Sequence, residues 1–135
     1  MRHLGFLAAC SISGVAIAGV HDDIIANCWK GRDHPAMTSC VREYAQAAQA
    51  ALNHADRDLR QALVKSQDEV RRRDDIKRQL DASASTYRKF RDAECSLTHT
   101  LASQGNGATE NQWACEAALD EQQAQRLRAA KWWLK

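Results

Sequence analysis

A long segment without glycine or proline constrains the fold of this chain more than any other feature. Neither residue occurs in residues 36–103, and both are common interruptions of helices. Apolar side chains in this segment recur at steps of three and four, the period of one face of an α-helix. A single helix of this length would extend for about 100 Å, too far to bury its apolar face in a small monomer. The segment therefore predicts two helices, with one long helix that dimerises as a coiled coil as the alternative.

The first two helices are recognised by their apolar stripes. The first begins at Pro35, because proline fits the first turn of a helix, and Asp33 or His34 is its expected cap. A turn within residues 65–75, where apolar residues are scarce, separates it from the second helix. The second stripe consists of Ile76, Leu80, Ala84, Tyr87, Phe90, Leu97 and Leu101.

A third helix follows a loop with two glycines at residues 103–109. It begins near Glu110, and Thr109 is its expected N-cap. Residues 19–34 lack a clear period and are expected to form an irregular lead-in. The sequence therefore predicts an all-α fold, a small antiparallel bundle of three helices.

Five cysteines among 135 residues are a high number for so short a chain. Such cysteine usage is typical of disulfide-bonded proteins in oxidising compartments. The chain has no Cys-x-x-Cys pair and no paired Cys/His spacing. We therefore predict a bundle stapled by disulfides, without a metal site and without a cofactor.

The beginning of the chain resembles a secretory signal peptide. A short basic start precedes an uncharged apolar run, and Ala16-Ile17-Ala18 supplies the small residues of a cleavage site. Cleavage after Ala18 separates residues 1–18 from a mature domain of residues 19–135. That domain is expected in the periplasm or outside the cell, with no integral membrane span. A less favoured alternative is a lipoprotein, anchored through a lipid on Cys10.

Charge and motifs argue against several classes of function. The mature chain carries 18 basic and 17 acidic side chains, a balance that does not indicate nucleic acid as a partner. The sequence contains no Gly-x-Ser-x-Gly, no His-Glu-x-x-His and no phosphate-binding glycine loop. We therefore predict that the protein is not an enzyme, and no residue is assigned a catalytic role.

Removal of the leader takes Cys10 with it and leaves an even number of cysteines: Cys28, Cys40, Cys95 and Cys115. Three pairings are possible. Cys28–Cys40 and Cys95–Cys115 are favoured, because each pair is close in sequence across a predicted bend. A Cys40–Cys95 bridge is the rival, since both cysteines lie near the same end of an antiparallel hairpin. That rival would require Cys115 to reach the lead-in across the bundle.

The segment that leads to Cys95 resembles a known family. Tyr87 and Phe90, followed by Arg-Asp-x-x-Cys at residues 91–95, are similar to the middle helix of the LprI-type lysozyme-inhibitor domain of exported bacterial proteins. The other three cysteines stand where the family has its own, so the resemblance covers roughly residues 28–128. The chain departs from the family pattern at several positions: Tyr87, where Trp is usual, Phe90, where Tyr is usual, Arg60, where Asn is usual, Gly105-Asn106-Gly107, where Gly-Ser is usual, Asp120, where Thr is common, and Gln123, where Arg is common.

The resemblance implies an exported protein of the cell envelope that binds lysozyme, with inhibition as the family's activity. Lysozyme hydrolyses its substrate with two carboxyl groups in a cleft, so an inhibitor must offer hydrogen-bond donors or cations to them. The loop before the third helix supplies candidate donors: Gln104, Asn106 and Thr109.

A different class of function stays open beside this one. Trp132 and Trp133 are adjacent near the carboxyl end, and neighbouring residues of a helix point about 100° apart. Both side chains cannot easily be buried on one stripe, so they are candidates for contact with a partner. The alternative function is therefore an interaction protein of the envelope, for example an immunity or adaptor protein, whose partner is not lysozyme.

Overall fold

Four α-helices and one turn of 3₁₀-helix form residues 17–134, the part of the chain that the computed structural model describes. The helices are α1 (Ile17–Trp29), α2 (His34–Lys65), α3 (Val70–Ala102) and α4 (Ala108–Ala130), and the 3₁₀ turn is Lys131–Trp133. No strand occurs within residues 17–134. The all-α class is therefore confirmed, whereas the prediction of three helices is wrong by one.

The additional helix, α1, occupies the segment that was expected to be irregular. Two of its side chains, Ile24 and Cys28, are buried one helical turn apart against α2 and α4. A stripe of two residues is too short to produce a recognisable period in the sequence. The helix is held by this packing and by a disulfide, which a search for periodicity does not detect.

Helix α4 is the centre of the molecule, because it packs against each of the other three helices. Small side chains let those helices approach it closely, and its buried residues lie between Glu110 and Ala124. Its buried apolar residues are Ala114, Cys115, Ala117, Ala118, Leu119 and Ala124. Helices α2 and α3 are consecutive in the chain, yet they barely touch each other, since both lie against α4.

Helix α3 is more exposed than its apolar stripe predicted. Cys95 is its only fully buried residue, and Phe90, Leu97 and Leu101 are at least half exposed. The physical reason is that α3 packs mainly against α4 and receives almost no cover from α2. Only one face of α3 therefore contacts α4, and the remaining apolar residues of its stripe are exposed to solvent.

The helix boundaries agree with the sequence at some points and differ at others. Asp33 caps α2 as predicted, with its carboxylate accepting a 3.0 Å hydrogen bond from the backbone N–H of Ala36. The turn between α2 and α3, residues 66–69, lies inside the predicted interval. Thr109 does not cap α4, because that helix already begins at Ala108 and its N-cap is Gly107.

Two disulfides join the helices in pairs. Cys28–Cys40 links α1 to α2, Cys95–Cys115 links α3 to α4, and the Cα atoms are 5.6 Å apart in each. These are the pairs favoured from the sequence, and the rival Cys40–Cys95 bridge does not form. By the loop-entropy estimate, each bridge adds about 3 kcal/mol of stability.

None of the helices within residues 17–134 is long and apolar enough to cross a membrane. The predicted leader falls outside the described residues except for its last two positions, so its cleavage and the lipid on Cys10 stay predictions.

Candidate functional site

The loop between α3 and α4, residues 103–107, presents polar side chains to solvent at one end of the bundle. Gln104 and Asn106 are exposed in the loop, and Thr109 is exposed in the first turn of α4. The three candidate donors predicted from the sequence therefore lie together on one surface. We name this surface, residues 103–109, the polar loop.

The backbone of the polar loop is fixed by Gly107 and Asn111. Gly107 has a φ of 130°, a conformation that side-chain-bearing residues rarely adopt. Its carbonyl oxygen accepts hydrogen bonds of 2.9 Å from both the backbone N–H and the side-chain Nδ2 of Asn111. The loop is therefore tied to the first turn of α4.

A buried glutamate anchors the start of α4 to α2 beneath the polar loop. Thr38 Oγ1 donates a 2.6 Å hydrogen bond to Glu110 Oε1, and His34 Nε2 lies 3.8 Å from the same oxygen. Burial acts to raise the pKa of Glu110, but hydrogen bonds from Thr38 and from the Glu110 backbone N–H, with the nearby His34, hold it below its ordinary value. Glu110 is therefore a charged anchor at neutral pH.

The polar loop and the neighbouring parts of α3 and α4 have neutral rather than cationic donors. No lysine or arginine occurs in residues 92–125. The amides of Gln104 and Asn106 and the hydroxyl of Thr109 can donate to a carboxylate, and these neutral groups cost less to desolvate than charged ones. This chemistry suits a partner whose cleft contains acidic side chains.

A groove runs between α2 and α3 because these helices diverge over α4, which forms its floor. Residues of all three helices line it, among them Arg42, Gln49, Arg60, Leu80, Arg91 and Leu127. Three of its arginines, Arg42, Arg60 and Arg91, have contacts within the fold, and a fourth, Arg88, is exposed. Arg60 binds Asp56 and Asp81, Arg91 binds two aspartates, and the Arg42 guanidinium lies 5.7 Å from the centre of the Trp113 ring. The charges of Arg60 and Arg91 are thus already compensated by carboxylates.

A buried aspartate of α4, Asp120, binds two side chains of α3 at the edge of this groove. Tyr87 donates a 2.6 Å hydrogen bond to Asp120 Oδ1, and Arg91 Nη1 lies 3.2 Å from Asp120 Oδ2. Burial, together with Asp120, raises the pKa of the Tyr87 hydroxyl above its ordinary value, so Tyr87 remains a proton donor. Tyr87 and Asp120, which are two of the positions at which the chain departs from the family pattern, are thus direct partners.

The two tryptophans predicted as contact residues lie at the opposite end of the molecule from the polar loop. Trp132 and Trp133 form part of the 3₁₀ turn after α4, and both are exposed. The distance along α4 from Thr109 to Trp132 is about 34 Å at 1.5 Å per residue. The five candidate binding residues therefore form two separate groups.

The sequence did not identify the buried acids that position these surfaces. Asp120 follows the run Ala117-Ala118-Leu119, but Glu116 and Glu121 lie on either side of it, so the sequence does not mark Asp120 as the buried acid. Glu110 carried no signal either, because an acid in the first turn of a helix is ordinary. Within residues 17–134, no group of three His, Cys, Asp or Glu side chains is placed to hold a metal ion.

Comparison with known proteins identifies one family. The model of the family described as "Lysozyme inhibitor LprI" matches residues 28–127, which include all four disulfide cysteines and the polar loop. No curated protein and no solved structure matches the chain significantly.

Proposed function

We propose that this chain, which belongs to the LprI family of lysozyme inhibitors, is an exported envelope protein that binds lysozyme and inhibits it. The family match carries this proposal, because it extends over most of the chain and includes the whole disulfide framework. The resemblance around Cys95 led to the same family from the sequence.

Export is supported by the cysteines and by the beginning of the chain. Both disulfides contribute to holding the helices together, and such bonds persist in oxidising compartments. The apolar first segment, with its small residues before position 19, is typical of a signal peptide. A periplasmic or secreted protein is the location that fits both features.

The polar loop is the surface that we assign to lysozyme. The catalytic cleft of lysozyme holds two carboxyl groups and must be open for substrate to enter. A loop that protrudes from one end of a helical bundle can enter such a cleft, and exposed amides can donate to the acids there. Hydrogen bonds to charged groups contribute about 1.5–3 kcal/mol each, so a few of them favour a specific complex.

A cell-wall clearing assay tests this function. Purified protein, added in increasing molar excess to lysozymes of several types, is expected to slow clearing of a bacterial wall suspension in proportion to its concentration. No inhibition of any lysozyme at large excess would contradict the proposal.

Matched variants test the assignment of the polar loop. Gln104→Ala with Asn106→Ala removes two exposed amides from the loop, and Gln61→Ala with Gln79→Ala removes two exposed amides from α2 and α3. The first pair is expected to raise the inhibition constant about tenfold or more, whereas the second pair leaves it unchanged. If both pairs of substitutions raise the inhibition constant equally, the polar loop is not the surface that contacts lysozyme.

The alternative, an immunity or adaptor role with another partner, is tested by a pull-down from a periplasmic extract of the native cells. A single partner other than lysozyme, together with no inhibition in the clearing assay, would replace the first proposal by this one.

A further inference from the structure

Two adjacent tryptophans at one end of the molecule have almost no contact with the rest of the fold. Trp132 is 90% exposed and Trp133 is 80% exposed, although folding usually buries most of a tryptophan side chain. The function proposed above does not use them, because the polar loop lies at the other end of α4. Lysozyme binding through the loop therefore does not account for their exposure.

Further exposed apolar side chains lie at the same end of the bundle. Helix α4 is antiparallel to α3, so its C-terminal end lies beside the turn between α2 and α3. There Arg72 Nη2 donates a 3.3 Å hydrogen bond to the carbonyl oxygen of Trp133. Val64 and Val70 flank that turn and are 76% and 65% exposed. We name this end, residues 64–74 with residues 131–133, the tryptophan end.

The tryptophan end also carries a local excess of positive charge. It contains five basic and three acidic side chains, although the mature chain as a whole is almost neutral. One of the acids, Asp68, is buried and accepts a 2.7 Å hydrogen bond from Arg72, so this pair is neutral and four basic and two acidic side chains remain. The exposed cations include Lys65, Arg71 and Lys131. The polar loop at the other end has none.

We propose that the tryptophan end docks the protein on the surface of an anionic phospholipid bilayer. Indole rings favour the boundary between lipid and water, because they are apolar with one polar N–H group. Lysine and arginine side chains beside them are attracted by anionic headgroups. A bilayer accepts such rings without the shape-complementary pocket that a protein partner must supply, and the charge of the surface matches.

This orientation has a consequence for the other end of the molecule. Because the tryptophan end and the polar loop are separated by the length of α4, docking through one end directs the other away from the lipid. The protein thus binds the membrane peripherally and exposes its loop to the aqueous envelope. The docking goes beyond the proposed function and does not depend on it.

Vesicle co-sedimentation tests the proposal with the exported, full-length mature protein. One set of vesicles contains equal parts of phosphatidylglycerol and phosphatidylcholine, and the other contains phosphatidylcholine alone. Binding is expected to the first set, much less to the second, and to weaken as salt is raised, since salt screens the attraction of exposed charges. Absence of binding to the anionic vesicles at low salt would overturn the proposal.

Variants at the two ends assign the binding to a surface. Trp132→Ala with Trp133→Ala is expected to weaken vesicle binding about tenfold or more, since roughly 60 Å² of apolar area removed from water corresponds to a factor of ten. Arg71→Gln with Lys131→Gln is expected to weaken it about fivefold for each cation lost. The matched control is Trp29→Ala, because Trp29 is part-exposed at the end of α1, beside His34 and far from the tryptophan end.

Two further measurements distinguish docking through the tryptophans from a lipid anchor and from dimerisation. The intact mass of the protein shows whether a lipid is attached at Cys10. If the variant without Trp132 and Trp133 still binds vesicles in full, another segment is responsible for the binding. Sedimentation equilibrium without lipid detects a second copy as the occupant. A dimer that depends on Trp132 and Trp133, with no binding to vesicles, would replace the membrane by a second copy of this chain.

Discussion

Two buried carboxylates on α4 each fix this helix to a different neighbour. Glu110 accepts a hydrogen bond from Thr38 of α2, and Asp120 accepts one from Tyr87 of α3. Because a buried carboxylate is costly unless it is paired, each contact is favourable only in one register of the helices. At the scale of single residues, these two acids therefore specify how α2 and α3 lie against α4.

Replacement of Tyr87 by Phe tests the contact at Asp120. The hydroxyl is lost while the ring stays, so Asp120 retains only Arg91 in its buried position. We expect the free energy of unfolding to fall by about 1–3 kcal/mol, the cost of a lost hydrogen bond to a buried charged group. Tyr44→Phe is the matched control, because Tyr44 is about half exposed. Equal stability of the two variants in urea unfolding would refute the role of this hydrogen bond.

The anchor at Glu110 predicts a dependence of stability on pH. Its pKa in the folded protein is lowered, so its contribution is present above the unfolded-state pKa of about 4.3 and is lost as pH falls through the folded pKa. Thr38→Val removes the hydrogen bond that contributes most to lowering the pKa of Glu110. The variant is therefore expected to lose more stability at pH 7 than at pH 3, whereas the exposed Thr86→Val changes little at either pH. A loss for Thr38→Val that is the same at both pH values would contradict this account.

At the scale of elements, the sequence predicted those helices that present a regular stripe to one neighbour. The cap at Asp33 and the turn at residues 66–69 were located correctly, and the buried residues of α2 recur with the predicted helical period. Helix α1 was missed, because Ile24 and Cys28 are the only buried residues among its residues 19–29, with Ile25 partly buried beside them. The exposure of α3 was missed as well, since periodicity reports which side of a helix is apolar and not how many neighbours cover it.

The polar loop depends on one glycine, which gives an element-scale prediction. Gly107 has a φ of 130°, and a Cβ there is strained whatever space surrounds it. We expect Gly107→Ala to destabilise the protein by about 1–3 kcal/mol. Gly105→Ala is the matched control, because its φ is not positive and nothing lies within 4 Å of its added Cβ. Thermal unfolding of the two variants compares them, and a destabilisation of Gly105→Ala as large as that of Gly107→Ala would show that backbone strain is not the cause.

At the scale of the whole molecule, the arrangement has a central helix and two chemically different ends. Disulfides and periodicity predicted that the helices are stapled together, but not that α2 and α3 diverge over α4. That divergence follows from contacts between residues far apart in the chain, such as Tyr87 with Asp120, which local patterns do not contain. The separation of Asn106 from Trp132 follows from the same architecture, and it places the surfaces that we propose for lysozyme and for the membrane at opposite ends.

The central claim is that the polar loop binds in the catalytic cleft of lysozyme. Competition measures this most directly: calorimetry records the affinity of the protein for lysozyme, first with the cleft free and then with it filled by a chitin oligosaccharide. We expect the apparent affinity to fall in proportion to the occupancy of the cleft, and we expect Gln104→Ala with Asn106→Ala to weaken binding only when the cleft is free. Equal affinity for free and oligosaccharide-filled lysozyme would contradict it.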